Sequence, residues 1–551
     1  MVNPIRFGGI ASGLDTESLV KQLVSAEKTR VDKFTQQKIW KQWQQTAYNE
    51  TNKTMANFIL DTRKNLGLTR TTSTGALVSG SINSVDWVKK ASSSSTAFDV
   101  TASANAPSGV VNIKVNQLAK GANVSSQRDV DSSLTAESIV GAGNFVGGKA
   151  TIKINNEDIV LESTDTISII AQKIRVAAPE LNASYDSGAK RFFMSTKNTG
   201  EEASISFDND VAKSLMLGLN FVDETINDVA NIPAADSTRT GQAALIEYNG
   251  GTPIKYQSNN ISINGLNLTL KAETTTAEAV SLDTDVDGAY NKIKEFVDEY
   301  NKLIDGFDSK LAEKKYRDFQ PLTDEQKEAM SEGDIKLWEE KAKSGLLKND
   351  ETMTRMMQTI RQDIYQKVEG VGSLFELGIT TGSWRDNGKL TIDETKLKDA
   401  LRNDSEKVLN TLFKTSDTPE VTITSADKGQ ALIDKQALIA KRKSESGAFI
   451  RIFDGLTSGI KDIVDKSGPG SEASLLRSVK SNILIEYVTS GSRSLIDKDV
   501  SEIDKRISRE TERLASLEER YWKQFTAMEK AMSEMNNQSS WLAQQFGGGQ
   551  Q

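Results

Sequence analysis

Hydrophobic residues near the end of the chain recur every seven positions: Ile507, Leu514, Tyr521, Met528, Met535 and Leu542 form one row. Its companion alternates between Leu517 and Ala531 on one side and Phe525 and Met532 on the other. Six consecutive hits at this period predict a helix with a coiled-coil seam, a stripe that a single helix cannot satisfy alone. Glu502 with Arg506 and Glu519 with Lys523 are spaced for ion pairs on the wet face. From Ile507 to Leu542 the rod is about 54 Å long at 1.5 Å per residue. Met528, Met532 and Met535 bring unbranched thioethers, which adapt to irregular or changing neighbours. That favours a seam meeting more than one partner. An ordinary bundle core would show the same period, and pairing within the chain or between chains would look alike.

At the other end, "GLDT" supplies a start signal for a helix from about Thr16. No proline falls between Pro4 and Pro107 or after Pro469, so both ends are free to be long helices. Leu19, Leu23, Ala26 and Phe34, then Trp43, Ala47 and Phe58, recur at helical spacing but drift, which predicts an amphipathic helix without a strict heptad. We take Leu19, Leu23, Ala26 and Phe34 as the face turned to the C-terminal seam, the two ends pairing antiparallel with the middle of the chain inserted at the far end of the stalk. From about residue 69 Ser, Thr, Gly and Ala take over and alternation replaces the helical period: Val111, Ile113 and Val115, then Ile152 and Ile154, an Asn-Asn turn, Ile159 and Leu161. A short helix with Ile167, Ile170 and Ile174 inward and a hairpin about Asp186-Ser187-Gly188 complete a ββαββ unit. Asn249-Gly250 and Asn264-Gly265 mark two further hairpins. Helical period returns with Tyr290, Ile293, Phe296, Val297, Tyr300 and Ile304, and a later tract, "GAFIRIFDGLTSGIKDIVDK", is separated by "SGPGSEAS" from the last helix.

The expected fold class is therefore α+β and multidomain, with a helical stalk from both termini, a helical leg and inserted, mainly-β head domains. The boundaries expected are an N-terminal coiled-coil helix (1–45), a leg helix (46–70), a first head domain in two parts (71–106 and 241–284) around a second (107–240), a helical leg domain (285–480), and a C-terminal coiled-coil helix with a flexible tail (481–551).

Composition narrows the chemistry. The 551 residues include neither cysteine nor histidine, which removes disulfides, thiolate sites, and the commonest general acid–base and metal ligand. A net charge of -8 without a basic block argues against nucleic acid. With no run of about eighteen apolar residues and no secretory-signal pattern, membrane insertion is not expected. "FGGIASG" has no preceding strand and matches no phosphate loop, "DNGKLTIDE" lacks calcium-loop spacing and reads as a turn, and no nucleophile, base and oxyanion donor converge. We expect no cofactor, no metal and no enzymatic activity. Trp40 and Trp43 are read as core, with a partner-facing patch as the other reading.

These segments carry a resemblance. "SGLDTESLVKQLVSAEKTRVDKFTQQK" resembles the opening helix, and "ERYWKQFTAMEKAMSEMNNQSSWLAQQF" the closing helix, of the bacterial flagellar filament-capping family, hook-associated protein 2 (FliD). "LTDEQKEAMSEGDIKLWEEKAKSGLL" and "GKLTIDETKLKDAL" are similar to that family's C-terminal region, and the segment from "VVNIKVNQLAKG" to "RFFMSTKNTGEEASISF" to a β motif shared with flagellin. The resemblance implies a secreted structural protein at the flagellar tip, exported through the flagellum-specific type III channel by way of an export chaperone. It implies a homo-oligomeric ring, pentameric in better-known members, that promotes flagellin insertion beneath it. Hook–filament junction proteins and host mucin are further partners it brings into view. Two other readings stand beside it: a surface adhesin whose β head binds mucin or glycans, and another axial protein of the flagellin or junction type.

Overall fold

The computed structural model describes residues 15–72, 77–382, 387–421, 423, 426–468 and 494–547. The chain is mixed helix and sheet, with long helices at both ends and a β-rich middle. It divides into two compact units, Ile82–Ala289 and a helical unit formed from Met1–Ser81 and Tyr290–Gln551. "FGGIASG", the linker from Pro469, residues 469–493 as a whole and the tail beyond Gly547 lie outside the described residues.

The β-rich unit is built on an eight-stranded antiparallel sheet in the order Ile254–Tyr256, Ala244–Tyr248, Gly109–Gln117, Glu278–Thr284, Lys89–Ser93, Phe98–Ala102, Leu266–Leu270, Asn260–Ile263. The two edge strands follow one another in sequence, so the margins of the sheet must lie close together. Asn259, between them, stitches that margin: its side chain accepts from Ala119 N (2.7 Å) and donates to Ala119 O (2.9 Å). The alternating row Val111, Ile113 and Val115 shares one core with Ile246, Leu268, Val280 and Leu282.

A second core belongs to an inserted lobe. There Lys149–Ile154 pairs with Glu157–Glu162 across Asn155-Asn156, both at positive φ, a backbone region that asparagine tolerates. Helix Ile167–Ala177 buries Ile167, Ile170 and Ile174, and Leu181–Asp186 pairs with Arg191–Thr196. The two hairpins fall in separate sheets, the second extended by Asn123–Ser125, and a common core including Phe192, Phe207 and Phe221 joins them. The chain enters and leaves this lobe through one neck, where Lys120 and Gln242 exchange two backbone hydrogen bonds of 2.8 Å. A Cβ on Gly241 would stand 2.3 Å from Gly200 O and 2.5 Å from Lys120 O, so the neck closes only around glycine.

In the helical unit we number α1 (Thr16–Asn65), α2 (Val286–Ala312), α3 (Asp324–Glu328), α4 (Glu332–Lys343), α5 (Glu351–Tyr365), α6 (Glu394–Asn403), α7 (Ser405–Phe413), α8 (Gln430–Glu445), α9 (Ala448–Ser467) and α10 (Leu495–Gly547). Asp15 caps α1, its side chain accepting from Ser18 N at 3.0 Å. The helix then runs 50 residues without a break, straight through the boundary expected near residue 45, because no glycine or proline interrupts it. None of residues 21–47 is buried, whereas Tyr48, Thr51, Asn52, Met55, Ala56 and Ile59 are. One rod thus passes from an exposed stretch into a bundle.

That bundle buries Tyr290, Ile293, Phe296, Val297, Tyr300 and Ile304 of α2, with Phe296 stacked on Phe449 at 4.0 Å. α9 lies close on α5 because Gly455 and Gly459 face Ile360 and Met356. Asp350, the N-cap of α5, accepts from Met353 N, the Tyr48 hydroxyl and Lys466, tying α1, α5 and α9 together. Arg451, only 2% exposed, donates to the carbonyls of Asp363, Gln366 and Lys367 at the end of α5 and of Lys443 and Ser444 at the end of α8. One cation therefore satisfies the orphan carbonyls of two helix C-termini. The segment after Leu377, turn-rich by sequence, holds a short hairpin (Ile379–Thr381 with Leu390–Ile392) and then α6 and α7, nucleated by the N-caps Asp393 and Asp404.

Candidate functional site

The two end helices meet antiparallel. Gln45 donates to Asp497 (3.0 Å), Lys41 pairs with Asp499 (2.7 Å), Lys38 with Asp504 (2.7 Å) and Arg513 with Glu27 (2.9 Å). Residue numbers in each pair sum to 540 or 542, so a single register holds along the rod. On α1 these partners fall on one row with Phe34, and continuing it back by steps of three and four gives Val31, Val24 and Val20. Val20 is buried, and Val24, Val31 and Phe34 are half-buried. This is a heptad row. The apolar positions alone hide it, because Glu27, Lys38, Lys41 and Gln45 occupy half of its places. Leu19, half-buried, and Leu23 and Ala26, exposed, stand one residue to the side; of the face expected from sequence, Phe34 lies on the row.

On α10 the covered row starts before Ile507. Ile496 and Ile503 are buried and Val500 is half-buried. Further along, Leu514 is buried, while Ile507, Leu517, Tyr521, Phe525, Met528 and Met532 are half-buried. Ala531 is exposed, as are Met535 and Leu542, at 65% and 45%. In the observed register Tyr521 stands opposite Val20 and Phe525 opposite Thr16. Met528, Met532, Met535 and Leu542 therefore reach past Asp15, the first described residue of the partner helix. Ile, Val and Leu side chains fill most of the row as far as Leu517; Tyr521 and Phe525 follow, and methionines fill the part that faces no described residue of α1.

A charged layer interrupts the seam. Glu27 and Glu510 both take row positions, and Arg513 bridges them at 2.9 and 2.7 Å. Its hydrogen bond holds the Glu27 carboxyl below the usual range, and the two carboxylates raise the guanidinium. A polar layer of this kind sets register, because a slip along the rod would separate the charges. On another side of α1, Glu325 of α3 pairs with Lys28, Lys315 lies 4.6 Å over the Trp40 ring, and Lys343 of α4 lies 4.8 Å over Trp43. Both tryptophans are half-buried under lysines, between the two readings made of them. What this arrangement offers is apolar area and paired charge along a rod. Among the described residues no group of three metal-capable side chains assembles, and no helix is long and apolar enough to cross a membrane.

Two family models match the chain: flagellar hook-associated protein 2 N-terminus over residues 12–122, and flagellar hook-associated protein 2 C-terminus over residues 241–537. The two spans stop and resume at the neck of the inserted lobe. The flagellar hook-associated protein 2 of Halalkalibacterium halodurans is 30% identical over 573 aligned residues, 98% of this chain and 100% of the relative. That of Thermotoga maritima is 27% identical over 73% of this chain and 55% of the relative. Among solved structures, the D1-D2-D3 domains of the flagellar cap protein FliD from Escherichia coli align with a TM-score of 0.46 at 20% identity, over 75% of this chain and 96% of that one. The C-terminal model spans more than half of the residues, and the Halalkalibacterium likeness runs through both end helices and the lobe between them: the chain belongs to the flagellar hook-associated protein 2 family.

Proposed function

We propose that the chain caps the distal end of the bacterial flagellar filament, where it promotes insertion and polymerisation of flagellin subunits and prevents their loss. The observation that carries this reading is the seam of α10, which runs from the buried Leu514 to the exposed Met535 and Leu542 on one unbroken helix. A cap has to stay attached while new subunits enter beneath it, so its contacts need to be adaptable and individually weak. Thioether side chains supply that, each contributing about 1.5–3 kcal/mol when fully covered. In this reading the working form is a homo-oligomeric ring outside the cell. Its seam residues Tyr521, Phe525, Met528, Met532, Met535 and Leu542 meet neighbouring subunits or flagellin, and an export chaperone covers them before delivery.

The test is a double substitution, Met528→Asp with Met535→Asp. Both units keep their melting behaviour, and a strain carrying only this variant releases unpolymerised flagellin into the medium. Normal capping and flagellin retention would overturn the reading.

A further inference from the structure

The chain has eleven methionines and no cysteine, so its thioethers are the sulfur that an oxidant can reach. Their placement divides sharply. Met55, Met194, Met216, Met353, Met356 and Met357 are buried in the cores of the two units. Met528 and Met532 are half-buried and Met535 is 65% exposed, all on the seam; the other accessible one among the described residues is Met330, half-buried just after α3.

We propose that Met528, Met532 and Met535 form an oxidation-sensitive site through which hydrogen peroxide switches off the assembly seam. The proposal rests on the cap reading. A sulfur lone pair attacks one peroxide oxygen and the O–O bond breaks. The thioether is oxidised by two electrons to the sulfoxide, and the second oxygen leaves as water once it has taken up the proton of the first. The product is polar and chiral where the row presents an apolar, flexible side chain. A partner would have to bury an S–O dipole without a donor, which opposes docking. Pairing with α1 is left standing, because the buried Ile496, Ile503 and Leu514 carry no oxidisable atom. Neither unit unfolds, since the core thioethers are shielded.

The experiment treats the full chain with graded hydrogen peroxide, maps oxidation by peptide mass, and follows capping of filaments on cells that lack their own copy. Met535 gains about 16 Da first, then Met528 and Met532, each roughly tenfold faster or more than the six buried residues, with unchanged melting and lost capping. The Met528→Leu, Met532→Leu, Met535→Leu variant keeps its stripe and goes on capping after peroxide. If that variant fails to cap untreated, Met535→Leu alone is read in its place: with the sulfur that oxidises first removed, a higher peroxide dose than in the wild type is needed to stop capping, and an unchanged dose overturns the switch. Equal oxidation of buried and seam methionines, or loss of capping by the leucine variant under peroxide, overturns the switch and leaves the cap reading intact. Capping by the doubly aspartate variant overturns the cap reading instead.

Discussion

Asp350→Ala removes three ties from the helical unit at once. The carboxylate accepts from Met353 N at 3.0 Å, the Tyr48 hydroxyl at 2.5 Å and Lys466 at 2.7 Å, and its side chain is 7% exposed. Loss of an N-cap costs about 1 kcal/mol. The buried Tyr48 hydroxyl is left without an acceptor, about 1–3 kcal/mol, and the 29% exposed Lys466 loses its counter-charge. These effects overlap, so about 4 kcal/mol is expected, within the range for breaking a buried pair. Asp350→Asn keeps one acceptor, enough for the cap on Met353 N, and puts an amide NH2 where the oxygen facing Tyr48 and Lys466 stood, so it loses the charge and one acceptor, about 2–3 kcal/mol. Thermal unfolding of the full chain followed by far-ultraviolet circular dichroism reads the difference: the helical transition falls by roughly 5–10 °C for alanine and by less for asparagine.

Acid adds a second check. Burial alone would push the Asp350 carboxyl up, but hydrogen bonds from Lys466, Tyr48 and Met353 N hold it below the ordinary value. A depressed folded value gives stability that is present above the unfolded value of about 3.9 and is lost as pH falls through the folded one. The lead of the wild type over the asparagine variant is therefore full at neutral pH and shrinks below about pH 4. An alanine variant melting within about 1 °C of the wild type, or a lead that grows on acidification, would refute this reasoning.

Two further substitutions probe the same bundle. Gly459→Ala would place a Cβ 2.0 Å from Met356 Sδ, so the buried Met356 side chain must repack or α9 shift on α5, for a loss of about 1–3 kcal/mol in urea unfolding, with partial recovery when Met356→Ala is added. Arg451→Met takes one donor from five helix-end carbonyls, of which Asp363 O and Ser444 O keep Gln366 N and Glu369 N, and speeds amide exchange in the last turns of α5 and α8; Arg451→Lys recovers only part, because an ammonium cannot span them as the planar guanidinium does.

The two ends of the chain were unequally legible. The row on α10 is written in Ile, Leu and Met, and its period shows directly. Its partner on α1 is not, because half of that row is Glu27, Lys38, Lys41 and Gln45, whose place in the seam is justified only by Arg513, Asp504, Asp499 and Asp497 far away in sequence. Apolarity alone therefore selected Leu19, Leu23 and Ala26, one position aside. In the β-rich unit the hairpins were readable from Asn-Asn and Asn-Gly turns, since positive φ is a local demand. The order of the eight-stranded sheet was not, because Gly109–Gln117 finds its neighbours Ala244–Tyr248 and Glu278–Thr284 across the whole inserted lobe. Arg451 left one trace, a cation among the apolar residues of "GAFIRIF", but nothing local says which carbonyls it serves.

The neck of the inserted lobe bears on how such chains diversify. Lys120 and Gln242 are bridge partners, so entry and exit stand about 5.5 Å apart, and the lobe between them has a core of its own. Ends that close allow a segment to be exchanged, enlarged or omitted without re-registering the strands on either side. The lobe is a cassette: its outward surface is free to be rewritten at little risk to the sheet that holds it, and a reporter domain or foreign epitope spliced between residues 121 and 241 would inherit the same socket.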